Sequence, residues 1–310
     1  MNTYGDRFRV TTYGESHGLA VGAVIDGCPA GVRIDIEFID TMLARRRDGA
    51  PRQESDKVEW LSGMLDGITL GTPLTFLIRN TNTKSEDYAA LEHMFRPGHA
   101  DYTYQMKYGL RDHRGGGRAS ARETVARVVA GAIAQQLMPE VQIVTTTEMP
   151  NEAATGNEDT YGGVVRCKVT GVPAGIGSPL FGKLNAQLAA AMLSIPSAIG
   201  FEMGAGFAAA RMSGSEYIDR WNDETAKEDG ETLTRTNHCG GIQGGISNGM
   251  PIEFSVAFHP VATLPQPVEC LHEDGDMVTL DVGGRHDRCH IRRAAVVVEA
   301  MSALCLINNL

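Results

Sequence analysis

The sequence predicts a chain that mixes strands and helices in two related βα-rich halves, about residues 1–147 and 164–310. Three observations carry this. Gly27-Cys28-Pro29-Ala30-Gly31-Val32 returns as Gly171-Val172-Pro173-Ala174-Gly175-Ile176, each copy after a β-rich run and before a helical pattern. Gly116-Gly117-Arg118 is echoed by Gly283-Gly284-Arg285, and both lead into a long helix-like stretch. The 36 glycines in 310 residues follow no three-residue period, so they mark tight turns or backbone that lies close to a ligand.

Taken in order, Leu19 to Ile25 reads as a strand and Phe38 to Arg47 as a helix. The clearest helix runs from Ser120 to about Met138. Val125, Val128, Val129, Ala132, Ile133 and Leu137 share one face of it at helical spacing. Ser120 and Glu123 have the spacing of a capping box, and Pro139 ends the helix. Glu148 to Gly163 is polar and is expected to connect the halves. Val164 to Val169 is the strand of the second copy and Gly182 to Leu193 its helix. Asp219 to Asn237 mixes acidic and basic residues and reads as a surface excursion. Pro251 to Phe258 reads as a strand with Pro251 at its start. The last stretch, Arg292 to Leu310, is helical in pattern and apolar on most sides, which implies deep burial or an oligomer contact.

Composition excludes several classes. A formal net charge of −10 argues against an overall basic nucleic-acid binder, and no basic stretch interleaves with aromatics as stacking platforms require. Six cysteines form no CxxC pair, so no structural zinc site is expected, and a disulfide framework does not suit a chain of this length. The N-terminus lacks an apolar signal core, and no apolar run reaches membrane-spanning length. The expectation is a soluble cytoplasmic protein, with no nucleic acid and no membrane among its partners.

The densest chemical signal is Arg96 to Arg127. It holds seven cations, Arg96, Lys107, Arg111, Arg114, Arg118, Arg122 and Arg127, together with His99, His113 and Gly115-Gly116-Gly117 before a helix start. Glycines let backbone N–H groups approach an anion, a helix N-terminus adds partial positive charge, and guanidinium groups bind phosphate or carboxylate bidentately. The pattern points to an anion site; its alternative is a solvated basic helix on a glycine turn. Arg45-Arg46-Arg47, with Arg52 after a short loop, is a second basic cluster; it is either part of such a site or a helix C-terminus that favours cations. Gly14-Glu15-Ser16-His17-Gly18 places Ser and His side by side. An apolar strand follows rather than a helix, so a nucleophile elbow is not expected, and His17 is a candidate general acid or a structural histidine. Asp287, in Gly284-Arg285-His286-Asp287, is a candidate base or the N-cap of the last helix.

Four of these segments together resemble one family. Gly14 to Gly18, Arg96-Pro97-Gly98-His99-Ala100-Asp101-Tyr102-Thr103-Tyr104, Arg118-Ala119-Ser120-Ala121-Arg122-Glu123-Thr124 and Gly284 to Asp287 are similar to the signatures of the chorismate synthases, in the same order along nearly the whole chain. The resemblance implies an α+β fold, a βαβ sandwich with central helices between two antiparallel sheets and internal pseudo-symmetry, assembled as a homotetramer. It implies a lyase of the shikimate pathway, which serves aromatic amino acid biosynthesis. The reaction is the anti-1,4-elimination of phosphate from 5-enolpyruvylshikimate 3-phosphate to give chorismate, with reduced FMN as cofactor. By motif, His17 would protonate the departing phosphate, His99 would manage protonation of the flavin, and Asp287 would help take a proton at flavin N5. Arg46, Arg52, Arg122 and Arg285, with Ser16 and Ala121, would bind substrate. Arg118, Ala119, Ser120, Pro196, Ser197, Gly244 and the stretch His259, Pro260, Val261, Ala262, Thr263 would contact flavin, with Arg285 near both ligands.

The chain departs from the family where Lys-Pro-Thr followed by Ser residues is usual. Here the stretch is His259 to Thr263, and histidine is charged only part of the time near neutral pH. Arg288 stands where Pro is usual, the segment after Arg47 is shortened, and Gln142 to Val165 lacks a helical segment that many members carry. No added nucleotide-binding domain is visible, so FMN is expected to be reduced from outside rather than by the chain's own use of NADPH. The competing readings are a flavin- or phosphometabolite-binding protein without turnover, and a nucleic-acid-binding module built on the Arg96 to Arg127 cluster.

Overall fold

Alternating burial along the strands defines two antiparallel sheets, each with one apolar face turned to a shared layer of helices. The computed structural model describes residues 1–150, 159–222, 233–281 and 287–310. In the first sheet the strands lie in the spatial order Thr3–Tyr4, Arg9–Tyr13, Ala20–Asp26, Leu74–Arg79 and Val58–Ser62, with every neighbour antiparallel. Val21, Ala23 and Ile25 on one strand, and Leu74, Phe76 and Ile78 on the next, are fully buried, the two-residue period of a half-covered sheet. The second sheet orders Ala198–Met203, Ile252–Phe258, Gly163–Thr170 and Gln142–Glu148, again all antiparallel. A smaller three-stranded sheet pairs Met94–Phe95 and Met277–Leu280 with the two edges of Val268–His272.

Two helices fill the space between the main sheets. Thr124–Gln136 packs on the first sheet, Ile291–Ile307 on the second, and the two pack on each other. Both are buried nearly all round, as a helix must be when apolar side chains cover its whole circumference. Their backbones approach so closely that a Cβ on Gly131 would lie 2.5 Å from both Cα and Cβ of Ala300, so only glycine fits there. Helices Ile36–Arg47 and Leu184–Leu193 flank this pair. The architecture is the α+β sandwich, helices between two antiparallel sheets, that the family resemblance implies.

The repeated Gly-x-Pro-Ala-Gly segments fold alike. Gly31 N–H donates to Thr69 O at 2.8 Å and Gly175 N–H to Ser247 O at 2.9 Å. Thr69 Oγ1 donates to Pro29 O and accepts from Val32 N–H, while Ser247 Oγ donates to Pro173 O and accepts from Ile176 N–H. A buried hydroxyl therefore braces each turn, and it satisfies backbone groups that water cannot reach.

Three local expectations change. Glu123 does not close a capping box with Ser120. Its carboxylate pairs with Arg127 Nε at 2.5 Å, one turn on, because a guanidinium is a stronger partner than a neutral backbone N–H. Ser120 still accepts from Arg122 N–H, but it caps a single 3₁₀ turn, Ala121–Glu123, and the α-helix begins at Thr124. Asp287 is not the N-cap of the last helix; His290 takes that place. The stretch Glu148 to Gly163 joins two neighbouring strands of the second sheet, and the crossing between sheets is made earlier, through the helix Thr124–Gln136. Part of that stretch, 151–158, lies outside the described residues, as do 223–232 of the Asp219 to Asn237 excursion. No helix among the described residues is long and apolar enough to cross a membrane.

Candidate active site

The two central helices begin at one cavity of about 210 Å³. Ser120 to Arg122 and Thr124 line it from the start of one helix, and Asp287, His290, Arg293, Ala294 and Val297 from the start of the other. Helix N-termini carry partial positive charge, so two of them meeting here favour an anion. The C-terminal end of Ile36–Arg47 also reaches the cavity, but its unfavourable partial negative charge is offset by its own arginines, Arg46 and Arg47. Arg52 and Pro196 also line it. The structure therefore brings together Arg46, Arg52, Ser120, Ala121, Arg122, Pro196 and Asp287 from the residues singled out in the sequence.

Each arginine is held in place before any ligand arrives. Arg122, with its side chain 6% exposed, pairs with Asp56, 1% exposed, and its Nε donates to Asn80 Oδ1 at 2.9 Å. Arg46 donates to Thr124 Oγ1 and Ala121 O at 3.0 and 2.7 Å and lies 4.0 Å from Asp56. Burial lowers its guanidinium to about 10, so it stays charged at neutral pH. Arg52 pairs with Glu54 and donates from Nη1 to both O and Oγ of Ser16 at 3.1 Å. Arg293 pairs with Asp287. Asp56 and Asn80 escape a sequence reading, because each lies on a different element from Arg122 and no local spacing announces the pair.

Glu54 offers a test of this preorganisation. Burial pushes its carboxyl up, but hydrogen bonds from Thr81 and the Arg52 guanidinium outweigh burial and hold it at about 2 against an ordinary 4.5. A carboxylate with a depressed folded value stabilises the fold fully above its ordinary value, and that contribution is lost as pH falls toward the folded value. Urea midpoints of the wild type are therefore expected to fall between pH 5 and 2 more steeply than those of Glu54→Gln. Parallel curves would remove Glu54 from the account.

The remaining predicted residues form adjoining groups. Ser16 and His17 sit in the hairpin loop between the strands Arg9–Tyr13 and Ala20–Asp26, a strand-to-strand turn rather than a nucleophile elbow. His17 Nδ1 is 3.1 Å from Ser85 Oγ, and its ring packs nearly perpendicular to that of Tyr88, with centroids 5.0 Å apart. It does not line the cavity; its neighbour Ser16 does the bridging, through Arg52. The glycine triplet has positive φ throughout, yet it serves His17 as well as any anion: a Cβ on Gly115 would lie 2.6 Å from His17 Nε2. Arg118 turns away from Arg122, to Thr12 Oγ1 and Gly14 O. With Ala119 it lines a second, larger cavity of about 1140 Å³ on the other side of the segment.

His99 Nε2 lies 3.0 Å from Thr263 Oγ1, and its Nδ1 donates to Pro97 O. Burial, with the charge of Arg96 beside it, lowers the His99 imidazole below its ordinary value. His259 N–H donates to Ser197 O, and Ser197 holds a left-handed φ of +71°, unusual for a residue with a side chain. Pro196 and Ser197 thus link the cavity to His259, Pro260, Val261, Ala262 and Thr263, with Gly98 against Ala262. Gly244 is not brought to this group. Its hairpin packs at the Gly171–Ile176 turn, whereas His259 follows the opposite end of the eight-residue strand Gly163–Thr170, a distance of roughly 20–25 Å at about 3.3 Å per residue. Arg285 lies outside the described residues.

One wall of the cavity is apolar. Ile195, Pro196, Ala294 and Val297 form it, and burial lowers His290 to about 4 while its buried Nε2 finds no hydrogen-bond partner among the described residues. A buried polar atom without a partner is costly and points to a missing ligand or water. No group of three or more His, Cys, Asp or Glu able to hold a metal occurs among the described residues.

Comparison with known proteins follows the same line. The profile of the chorismate synthase family matches residues 8–151 and 144–310. The chain is 45% identical to the chorismate synthase of Opitutus terrae, over 99% of this chain and 96% of that one, and 47% identical to that of Porphyromonas gingivalis, over 99% and 95%. The alignment with the first spans 352 positions, more than the 310 residues here, so this chain is internally shorter. A solved structure titled crystal structure of chorismate synthase superposes with a TM-score of 0.73 at 28% identity, covering 99% of this chain and 92% of that one. This chain belongs to the chorismate synthase family, whose members are lyases.

Proposed function

We propose that the chain eliminates phosphate from 5-enolpyruvylshikimate 3-phosphate to form chorismate, as a step of the shikimate pathway that requires reduced FMN. The observation that carries this reading is the cavity in which Arg46, Arg52 and Arg122 meet Asp287 at the N-termini of two helices. The substrate bears a phosphate and two carboxylates, and guanidinium groups bind such anions in a fixed fork. Ser16 and Ala121 lie beside these arginines and complete the substrate side. His17, on the loop tied to Arg52, donates a proton to the departing phosphate oxygen. His99, largely neutral at pH 7 because of its lowered value, is able to accept and return a proton at the flavin side. Asp287, fixed by Arg293, would help take, by way of flavin N5, the ring proton that the substrate loses as its phosphate departs. Reduced FMN, when bound, lends electron density to the substrate and recovers it, so the net reaction is redox-neutral. Ser120, Pro196, Ser197 and the stretch His259 to Thr263 would hold the cofactor, with Arg118 and Ala119 just before Ser120 on the same segment. The reading carries with it a cytoplasmic location, assembly as a homotetramer, and a source of reduced flavin outside the chain.

The test is phosphate release and chorismate formation under anaerobic conditions with chemically reduced FMN. Turnover is expected with reduced FMN and is expected to vanish with oxidised FMN. A folded sample without turnover at saturating reduced FMN would sink the reading in favour of a non-catalytic binder, with His259 in place of a fixed cation as the reason.

A further inference from the structure

Asn80 is the first residue beyond the strand Leu74–Arg79, where Arg79 pairs with Ala20 across the sheet. Its backbone N–H donates to Leu19 O at 3.1 Å, so its position is fixed by the sheet. Its side chain reaches three other groups. Nδ2 donates to Glu15 O at 3.0 Å and to Gly18 O at 2.8 Å, the two ends of the loop that carries Ser16 and His17. Oδ1 accepts from Arg122 Nε at 2.9 Å. Both amide protons and the carbonyl oxygen are thus in use, and only this orientation of the amide satisfies all three partners. Glu15 O also accepts from Gly18 N–H at 3.1 Å, so the loop is closed on itself and clamped from outside by one side chain.

We infer that Asn80 is a positioning residue that couples the His17 loop to the guanidinium of Arg122. It sets the distance between the proton donor and the anion-binding arginine. The inference rests on the roles proposed above for His17 and Arg122. Asn80 supplies no charge and titrates nothing; it acts through the two residues it holds. Aspartate and alanine separate its two ends. Asn80→Asp keeps the volume and the bond to Arg122, but it replaces the donor with a second acceptor that faces two carbonyl oxygens. That frees the loop and leaves the arginine in place. Asn80→Ala frees both.

The experiment is steady-state kinetics of the full chain with reduced FMN, with His17→Ala and Arg122→Ala run beside the Asn80 variants and every sample checked by thermal melting. Asn80→Asp is expected to lower kcat by about 10- to 100-fold, the scale of an ångström-sized misplacement, with a smaller rise in KM for the phosphorylated substrate, because the new carboxylate offsets part of the Arg122 charge. Asn80→Ala is expected to lower kcat and raise KM together. Equal changes in kcat and KM for Asn80→Asp, or wild-type values for both, overturn the inference while Arg122→Ala still raises KM and His17→Ala still lowers kcat. If those two controls leave KM and kcat unchanged, the assigned roles have failed and the coupling falls with them. Should Asn80→Ala not fold, Asn80→Ser takes its place in the comparison.

Discussion

Replacing His17 with alanine is expected to lower kcat by about 10²–10⁴-fold, the range for loss of a general acid or base, with little change in KM. The surroundings of His17 favour a ring held in one orientation. Ser85 Oγ bonds Nδ1, the Tyr88 ring packs perpendicular to the imidazole, and the bare backbone of Gly115 leaves room beside Nε2. Gly115→Ala is expected to fall in the same direction, because the added methyl cannot share space with the imidazole and the residue holds a φ of +60°, which L side chains disfavour. Measured with reduced FMN at saturating substrate, rates for His17→Ala within a few-fold of wild type would remove His17 from proton transfer.

The second large effect is on stability. Asp56→Ala is expected to cost about 3–5 kcal/mol, because it strands the Arg122 guanidinium without its partner inside the protein. The pair is nearly inaccessible to water, so solvent does not compensate. Asp56 also has a φ of +49°, a left-handed conformation that aspartate and asparagine tolerate and alanine does not. Asp56→Asn keeps the shape and the backbone preference and loses only the charge, so the order of urea midpoints is expected to be wild type, then Asn, then Ala. An alanine variant as stable as wild type would mean that the Asp56–Arg122 pair contributes nothing to the fold.

Much of the layer structure is legible in the sequence, because it depends on local periodicity. The face that Val125, Val128, Val129, Ala132 and Ile133 share specifies the helix Thr124–Gln136, and the apolar run after Arg292 specifies a helix with no exposed side. The repeated turns are readable from their glycines, although the bracing hydroxyls, Thr69 and Ser247, lie far along the chain from them. The site divides along the same line. The arginines are visible as residue types, but their tasks are not. Arg45, Arg46 and Arg47 are identical in sequence, yet each successive position on an α-helix turns by about 100°. Arg45 therefore reaches Glu299, Arg46 reaches Thr124 and Ala121, and Arg47 reaches the carbonyls of Glu54 and Ser55. Arg118 and Arg122, four residues apart, line different cavities because Ser120 between them is extended, with φ −68° and ψ 141°, so no continuous helix relates them. Asp56 and Asn80 lie 66 and 42 residues from the arginine they hold, a separation that no spacing rule covers.

The cavity at the helix starts holds Arg46, Arg47, Arg52, Arg122 and Arg293 against Glu54, Asp56 and Asp287, a positive excess inside a chain whose net charge is −10. A multiply anionic substrate therefore meets two opposed fields. Far away it is repelled by the molecule as a whole, and only at close range is it drawn in. Screening separates the two by length: at about 0.01 M salt the Debye length is roughly 30 Å and the repulsion extends well into solution, while at about 0.15 M it is roughly 8 Å and mainly the near field survives. Moderate ionic strength thus speeds the approach of the substrate before it weakens the grip, and capture is fastest at an intermediate salt concentration rather than in dilute buffer.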